Sequence, residues 1–491
     1  MNLKINRNSD VPIYIQISTG IKEMIRNNEL TEGYKLPSER QLAAELGVHR
    51  NTIVKVYFEL ISDGIIVSSR KKPRGYFVKT KKEETMRRKF FPLEQNIQYE
   101  FDAAVGRIMD VYFSGDNEEM ISFGGMLLAS KVEYRPELEK IVAEVFQSAN
   151  GRNLGKYQEE LLLVKTNIQT LLTKRNMYVP LKNIQVVSEC NEAISCLMDI
   201  YVKEGECILA EEPMAADLAG LVQNKGIRII TVPMEEDGVN LKKLEMAMRR
   251  YKPRFFYTMP NGHNPTSKIM SVEKRKNLLA IAHKYDVLII EDDWMRWFGH
   301  SREQIPSLYM LDTYKSVVYI DSLTLFFPYG IKLGYIVGPT ELTEMLGRIL
   351  TISESVPGNI GHFFANAYLG TDYFDAYTHQ IEVYCKKKCE LMCNELDKLK
   401  EKGIVYTRPK AGIIVWCRLP DDIPGEYFFA TAMERGVQLM LGEFFYHSSK
   451  DTERYFRLCF SNVTDDEIRQ GVRLLGEVLE DVRNKGKEKE T

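Results

Sequence analysis

Three short runs in this 491-residue sequence set polar side chains where they can do chemistry. "NGHNPTS" (261–267) places Asn264 in a turn before a proline, where its amide can donate to an oxygen. "LIIEDDW" (288–294) ends an apolar, β-rich run in carboxylates. Asp292 there can hold a protonated nitrogen, ligate a metal or cap a helix. "YFRLCFSN" (455–462) puts Arg457 on a late strand, where a guanidinium can grip a carboxylate through two parallel hydrogen bonds. Each run is weak alone. An acidic pair at a strand end is commonly a metal ligand or a cap, and an isolated Arg is commonly a surface residue. Cys385, Cys389 and Cys393 recur every fourth residue and share nearly one helix face. That spacing suits a metal or redox patch, but free Cys packs like a small hydrophobe, and packing is the preferred reading.

A different chemistry stands near the start. In "KLPSERQLAAELGVHRNTIVKVYFELISDGIIVSSRKKPRGYFVK", Ser38 offers an N-cap to a short helix that ends at Gly47. A second helix opens with Arg50, Asn51 and Thr52 and ends near Gly64. Two β-like runs follow, joined by a basic segment that includes Arg70, Lys71, Lys72 and Arg74. With the apolar helical spacing of residues 12–28 in front, this is the order of a winged helix-turn-helix. Its second helix would present polar and cationic groups to base edges and phosphates. A small helical module that binds protein is the alternative.

The elements that position these residues divide the chain. Length alone suggests two or three domains. Residues 1–90 hold 18 Lys and Arg against 10 Asp and Glu, although the whole chain has a net charge of -2. A basic head on an acidic body suits a nucleic-acid-binding module joined to something else. From about 184, short runs that are apolar on both faces alternate with helical patterns, so a largely parallel α/β sheet is expected. A long helix and a smaller α+β region follow from about 360. The divisions expected are 1–80 for the head, 81–118 for a charged linker and lead-in, and 119–485 for the body. The terminal "NKGKEKET" reads as disordered. The N-terminus lacks the apolar core of a signal peptide and no apolar run is long enough to span a bilayer. The expected location is cytoplasmic, and the eight Cys are expected to be free thiols.

On these motifs the head resembles the GntR family of bacterial repressors. That resemblance implies DNA contacts from Ser38, Arg40, Arg50, Asn51, Thr52, Arg74 and Gly75. His49 stands where that family commonly has Ser or Thr, and is expected to cost a helix cap or alter a base contact. The body resembles fold-type-I, class I/II aminotransferases, which use pyridoxal phosphate (PLP). The order of the two domains resembles the MocR subgroup, in which such a body usually senses and dimerises with little or no turnover. The resemblance implies that Asn264 faces the PLP phenolic oxygen, Asp292 the pyridine nitrogen and Arg457 a substrate or effector carboxylate.

The match breaks at the cofactor loop. The family pattern Ser-X-Ser-Lys, followed seven residues later by Arg-Leu-Gly-Tyr, aligns with "SLTL" and "KLGY". Lys332 then replaces the phosphate-binding Arg, and Leu325 occupies the Schiff-base position. A leucine cannot form an aldimine or relay a proton. Glu189 falls in the phosphate-binding turn at a helix N-terminus, where like charges about 4 Å apart repel by roughly 4 kcal/mol at an effective dielectric near 20. Ala215 stands in place of the ring-stacking aromatic, and Trp294 in place of a Tyr. "YQEEL" (157–161) replaces a Tyr-Gly-Asp-Pro segment.

The chain is therefore expected to be a DNA-binding transcriptional regulator and a homodimer on a duplex operator. Its body would be a dimerisation and effector-sensing module, with Asn264, Asp292 and Lys332 as remnants of a PLP site that forms no covalent bond. The effector would be an amino or carboxylate compound. Non-covalent PLP, or Lys332 or Lys268 standing in for the lost lysine, remains open. The alternatives are an active PLP aminotransferase carrying a DNA-binding head, and a regulator whose remodelled body binds another anion or a protein.

Overall fold

The computed structural model describes residues 6, 12–26, 29–31, 33–62, 65–69, 75–78, 120–126, 136–149, 157–300, 305–328, 330–352, 359–447 and 452–490. It divides into two compact units, residues 1–100 and 101–491. The linker expected at 81–118, and with it both boundaries placed there, lies outside the described residues.

In the first unit, α1 (Ile13–Arg26) precedes β1 (Lys35–Leu36), α2 (Glu39–Leu46), α3 (Arg50–Ser62), β2 (Ile66–Ser69) and β3 (Gly75–Val78). The three strands form one antiparallel sheet in the order β1-β3-β2. Ser38 and Gln41 form a reciprocal capping box at the start of α2, and Gly47 ends it in the left-handed region (φ 60°). Ile17, Ile21, Leu42, Ile53, Val56 and Leu60 lock the helices through one small core. Each such side chain contributes about 1.5–3 kcal/mol on burial.

The second unit opens with β4 (Ile121–Ser122), α4 (Pro136–Ala149) and α5 (Tyr157–Lys174). Then follow β5 (Ile184–Val187), α6 (Cys190–Tyr201), β6 (Cys207–Glu212), α7 (Ala216–Asn224), β7 (Arg228–Glu235), β8 (Gly238–Val239) and α8 (Leu241–Tyr251). The chain continues through β9 (Phe255–Thr258), α9 (Val272–Tyr285), β10 (Leu288–Asp292), α10 (Leu308–Leu311), β11 (Val317–Ser322), β12 (Gly334–Val337) and α11 (Thr340–Ile352). These strands make an eight-stranded sheet, β5-β12-β11-β10-β9-β6-β7-β8. The β11-β10-β9-β6-β7 run is parallel, while β12 is antiparallel to both of its neighbours and β8 antiparallel to β7. Strands β5, β9 and β12 are buried throughout, which explains their mostly apolar sequence.

After α12 (Asn359–Tyr368) and α13 (Asp372–Asp397), a smaller sheet, β13-β14-β17-β16, forms from β13 (Val405–Tyr406), β14 (Ile414–Arg418), β16 (Met440–Leu441) and β17 (Tyr455–Cys459). Between them α14 (Gly425–Glu434) leads into β15 (Val437–Gln438), which pairs with β4. The last helix, α15 (Asp465–Glu490), corrects one expectation: the terminal segment read as disordered continues a helix. Its Lys and Glu are strong helix formers, and they extend a turn already nucleated by the packed half of the helix. Cys385, Cys389 and Cys393 face the core at 0%, 6% and 1% exposure, so their spacing marks a packed face.

Candidate functional site

In the first unit, Arg50 opens α3 and turns its guanidinium onto Glu39, with Nη2 and Nε donating to Oε2 at 2.8 and 3.1 Å. Tyr76 Oη donates to the other Glu39 oxygen at 2.7 Å. Together they hold the Glu39 carboxyl below its ordinary range, the Tyr76 bond first and the Arg50 bond second. Glu39 thus positions Arg50 while leaving its side chain 54% exposed. Ser38, Arg40 and Asn51 are exposed and Thr52 is half-buried, so four of these residues surround the start of α3 on or near the surface. Arg74 lies outside the described residues.

His49 corrects another expectation. Its Nδ1 accepts the Asn51 backbone N–H at 3.2 Å, and its carbonyl accepts from Thr52 N at 2.9 Å. The imidazole supplies the cap that a hydroxyl was expected to supply. Gly75 has a structural reason of its own. Its φ is +147°, and a Cβ there would stand 2.9 Å from Lys35 Cε.

In the second unit, a cavity of about 230 Å³ opens at the carboxyl ends of the parallel strands, where α/β sheets bind ligands. The turn after β5 brings Glu189, the turn after β6 brings Ala215, and β10 ends in Asp292. The β11–β12 connection brings Ser322, Leu325 and Lys332, and Asn264 and Trp294 complete the set. Residues spread over more than 140 positions, singled out by motif alone, therefore line one space. Lys268 does not; its Nζ donates to Glu235 O at 2.9 Å elsewhere on the unit. Of the "YQEEL" segment, the Tyr157 side chain lies outside the described residues, and the segment opens α5.

The three acids at the end of β10 have three different partners. Glu291 is buried and accepts from Leu308 N and Tyr309 N, both at 2.8 Å, so it caps α10. Asp293 accepts from Asn261 Nδ2 at 2.7 Å and Tyr319 Oη at 3.0 Å. Asp292 Oδ2 accepts from Tyr257 Oη at 2.7 Å, while its Oδ1 is buried with no hydrogen-bond partner among the described residues. Burial, aided by the charges of Asp321 and Asp293, pushes the Asp292 carboxyl up to about 7 against the opposing pull of the Tyr257 hydroxyl and the Cys190 thiol.

At the N-terminus of α6 the chain supplies its own anions. Ser322 Oγ donates to Glu189 Oε2 at 2.8 Å, and Ser188 N and Oγ donate to Glu192 Oε2 at 2.7 and 2.6 Å. Glu189 is the N-cap residue but its side chain caps no N–H. Asn264 Oδ1 accepts from Arg457 Nη1 at 3.1 Å, which commits its carbonyl end and leaves its amide to donate. Arg457 is 1% exposed and is not among the residues lining the cavity. Its Nη2 donates to Gly124 O at 2.7 Å, and its Nε has no partner among the described residues.

Sequence reasoning missed Tyr257, Asp217, Phe298 and Phe326, which also line the cavity. Tyr257 had a usable signal. It pairs with Ile290 on the neighbouring parallel strand, so it shares a face with Asp292 two positions on. Phe298 and Phe326 stack with centroids 5.7 Å apart and, with Trp294, form an aromatic wall.

Comparison with known proteins agrees with this architecture. The family model for aminotransferase class I and II matches residues 129–475, and that for bacterial regulatory proteins of the gntR family matches residues 13–78. The chain is 23% identical over 483 residues to YdfD of Bacillus subtilis (strain 168), an uncharacterized HTH-type transcriptional regulator, covering 97% of this chain and 98% of that protein. It is 27% identical over 303 residues to 2-aminoadipate transaminase of Thermus thermophilus, covering 61% of this chain and 75% of that one. Among solved structures, LysN, the α-aminoadipate aminotransferase of Thermus thermophilus, superposes with a TM-score of 0.70 at 23% identity, covering 80% of this chain and 99% of that one. The chain belongs to the class I and II aminotransferase family, joined to a gntR-type head in the MocR arrangement. It is a transcriptional regulator whose head binds DNA. The fold family of its body normally binds PLP. Among the described residues, no helix is long and apolar enough to cross a membrane.

Proposed function

We propose that this regulator acts as a homodimer on a two-part operator, and that its body is a dimerisation and effector-sensing module holding no covalent PLP. In this reading Ser38, Arg40, Arg50, Asn51, Thr52, Arg74 and Gly75 form the DNA-contacting set. The observation that carries the second half is Leu325, which lines the cavity from the β11–β12 connection without an amine to offer.

The residues present fit only part of the cofactor. Asp292 Oδ1 and the amide of Asn264 suit the ring. The phosphate end does not fit, because the Glu189 carboxylate is held beside the α6 N-terminus by Ser322. Lys332, an exposed residue at the cavity edge, is the only cation lining it among the described residues. An effector carboxylate that took both ends of the Arg457 guanidinium would displace Asn264 or Gly124 from it, so Arg457 is the residue through which such an effector would move the cavity wall.

Selection of random duplex DNA on the full-length chain tests the operator reading. The expected product is a sequence with two repeated half-sites, bound by two chains and weakening steeply with salt. One chain bound per single half-site would contradict the dimer, and no enrichment would contradict the DNA-contacting set.

A further inference from the structure

The charges lining the cavity are the reverse of those that a phosphate ester needs. Three acidic side chains, Glu189, Asp217 and Asp292, line it with one lysine, Lys332; burial raises the pKa of Asp217 and Asp292, and the Arg457 guanidinium opposes that rise at Asp217. The carboxylate of Glu189 is fixed by the 2.8 Å bond from Ser322 Oγ, so it does not swing aside freely. The free N–H groups of a twelve-residue helix, normally an anion site, already have Glu189 and Glu192 beside them. Asp292, 3% exposed, also lines it, with no donor on Oδ1 among the described residues beyond the weakly donating Cys190 thiol beside its carboxyl. A buried carboxylate oxygen without a donor is costly, and a ligand N–H would relieve it. Trp294, Phe298 and Phe326 give the remaining wall an aromatic character, which favours a flat apolar body and attracts cations.

We propose that this cavity takes a compact organic cation without a phosphate: a protonated amine or N-protonated heterocycle on an apolar or aromatic frame. Its charged N–H donates to Asp292 Oδ1 and its frame lies against Trp294 and Phe298, while Glu189 disfavours an anionic substituent. The inference rests on the reading of the cavity as an effector pocket and deepens it by naming the ligand class. Binding exchanges a proton for the ligand, since burial keeps much of Asp292 protonated near neutral pH in the free protein.

Calorimetric titration of the full-length chain with pyridoxamine, benzylamine and pyridoxamine 5′-phosphate tests it. Pyridoxamine and its phosphate share ring and amine and differ only in the anion, and neither carries an aldehyde. Pyridoxamine should bind at least tenfold more tightly than its phosphate. Glu189→Gln should narrow that ratio several-fold by improving the phosphate, and Asp292→Asn should remove binding of both amines while the purified variant still binds operator DNA. Tighter binding of the phosphate would overturn the ligand class and leave the effector pocket standing. No heat from any of the three, with operator affinity unchanged by each, would overturn both.

Discussion

The head and the cavity of the body were both marked by short motifs, and the structure treats them differently. In the head, the motif residues keep their supports: Ser38 caps α2, Glu39 and Tyr76 brace Arg50, and the one unusual residue, His49, still caps α3. In the body, the backbone brings most aligned positions to one cavity, Arg457 and residues 157–161 apart, and on the proposed reading the side chains there no longer suit the ligand of the family. Backbone placement is set by the buried strands and survives substitution at strand ends. The chemistry is set by a few side chains at those ends, and four of them, Glu189, Ala215, Trp294 and Leu325, have changed.

The largest effect expected is in the body. Arg457→Ala leaves Gly124 O and Asn264 Oδ1 without donors in a buried place, and should cost about 3 kcal/mol of stability in urea unfolding. It should also abolish any response to a carboxylate effector. A loss below about 1 kcal/mol would show that this network does not support the cavity wall.

In the head, Arg50→Ala should weaken operator binding by about 1–3 kcal/mol and relax selectivity at one base position. Stability should change by less than about 1 kcal/mol, because the Arg50 side chain is 54% exposed and Glu39 keeps its bond from Tyr76. Full affinity and selectivity in that variant would move the reading helix away from α3.

Asp292→Asn sharpens the electrostatic side of the comparison. The folded pKa of about 7 lies above the ordinary carboxylate value, so the stability this group contributes is fully present below about pH 4 and is lost as pH rises from there to about 7. Asparagine mimics the neutral acid at every pH. The advantage of the variant over wild type should grow by about 1.4 kcal/mol per pH unit between about pH 5 and pH 6.5 and level off above about pH 7. Denaturant melts whose difference does not grow with pH would contradict the assignment.

The smallest effect expected is at Ser38. Ser38→Ala should cost about 1 kcal/mol through the lost cap. Ser38→Asp should keep the cap but repel phosphates, weakening operator binding with little loss of stability. Equal operator affinity in both variants would remove Ser38 from the DNA-contacting set.

The order of elements and the convergence of Asn264, Asp292, Leu325 and Lys332 were legible in the sequence, because strand ends in a parallel sheet share one edge. What was not legible depends on partners from distant strands. Tyr257 bonds Asp292 across a strand pair, and Arg457 turns from the cavity onto Asn264, 193 positions away. Likewise, the sequence could not show that Glu291, next to Asp292, meets backbone N–H groups 17 and 18 residues on. His49 was misjudged because residue type was weighed by family habit, although an imidazole nitrogen can accept the same bond as a hydroxyl oxygen.

The most direct test of the central claim is reduction with borohydride after incubation with PLP, followed by mass analysis of the peptides. The account predicts no phosphopyridoxyl group on any cavity peptide of the native chain, including the one holding Lys332, and a modified lysine at position 325 only in the Leu325→Lys variant. Stoichiometric labelling of one cavity lysine in the native chain would contradict it and return the body to covalent cofactor chemistry.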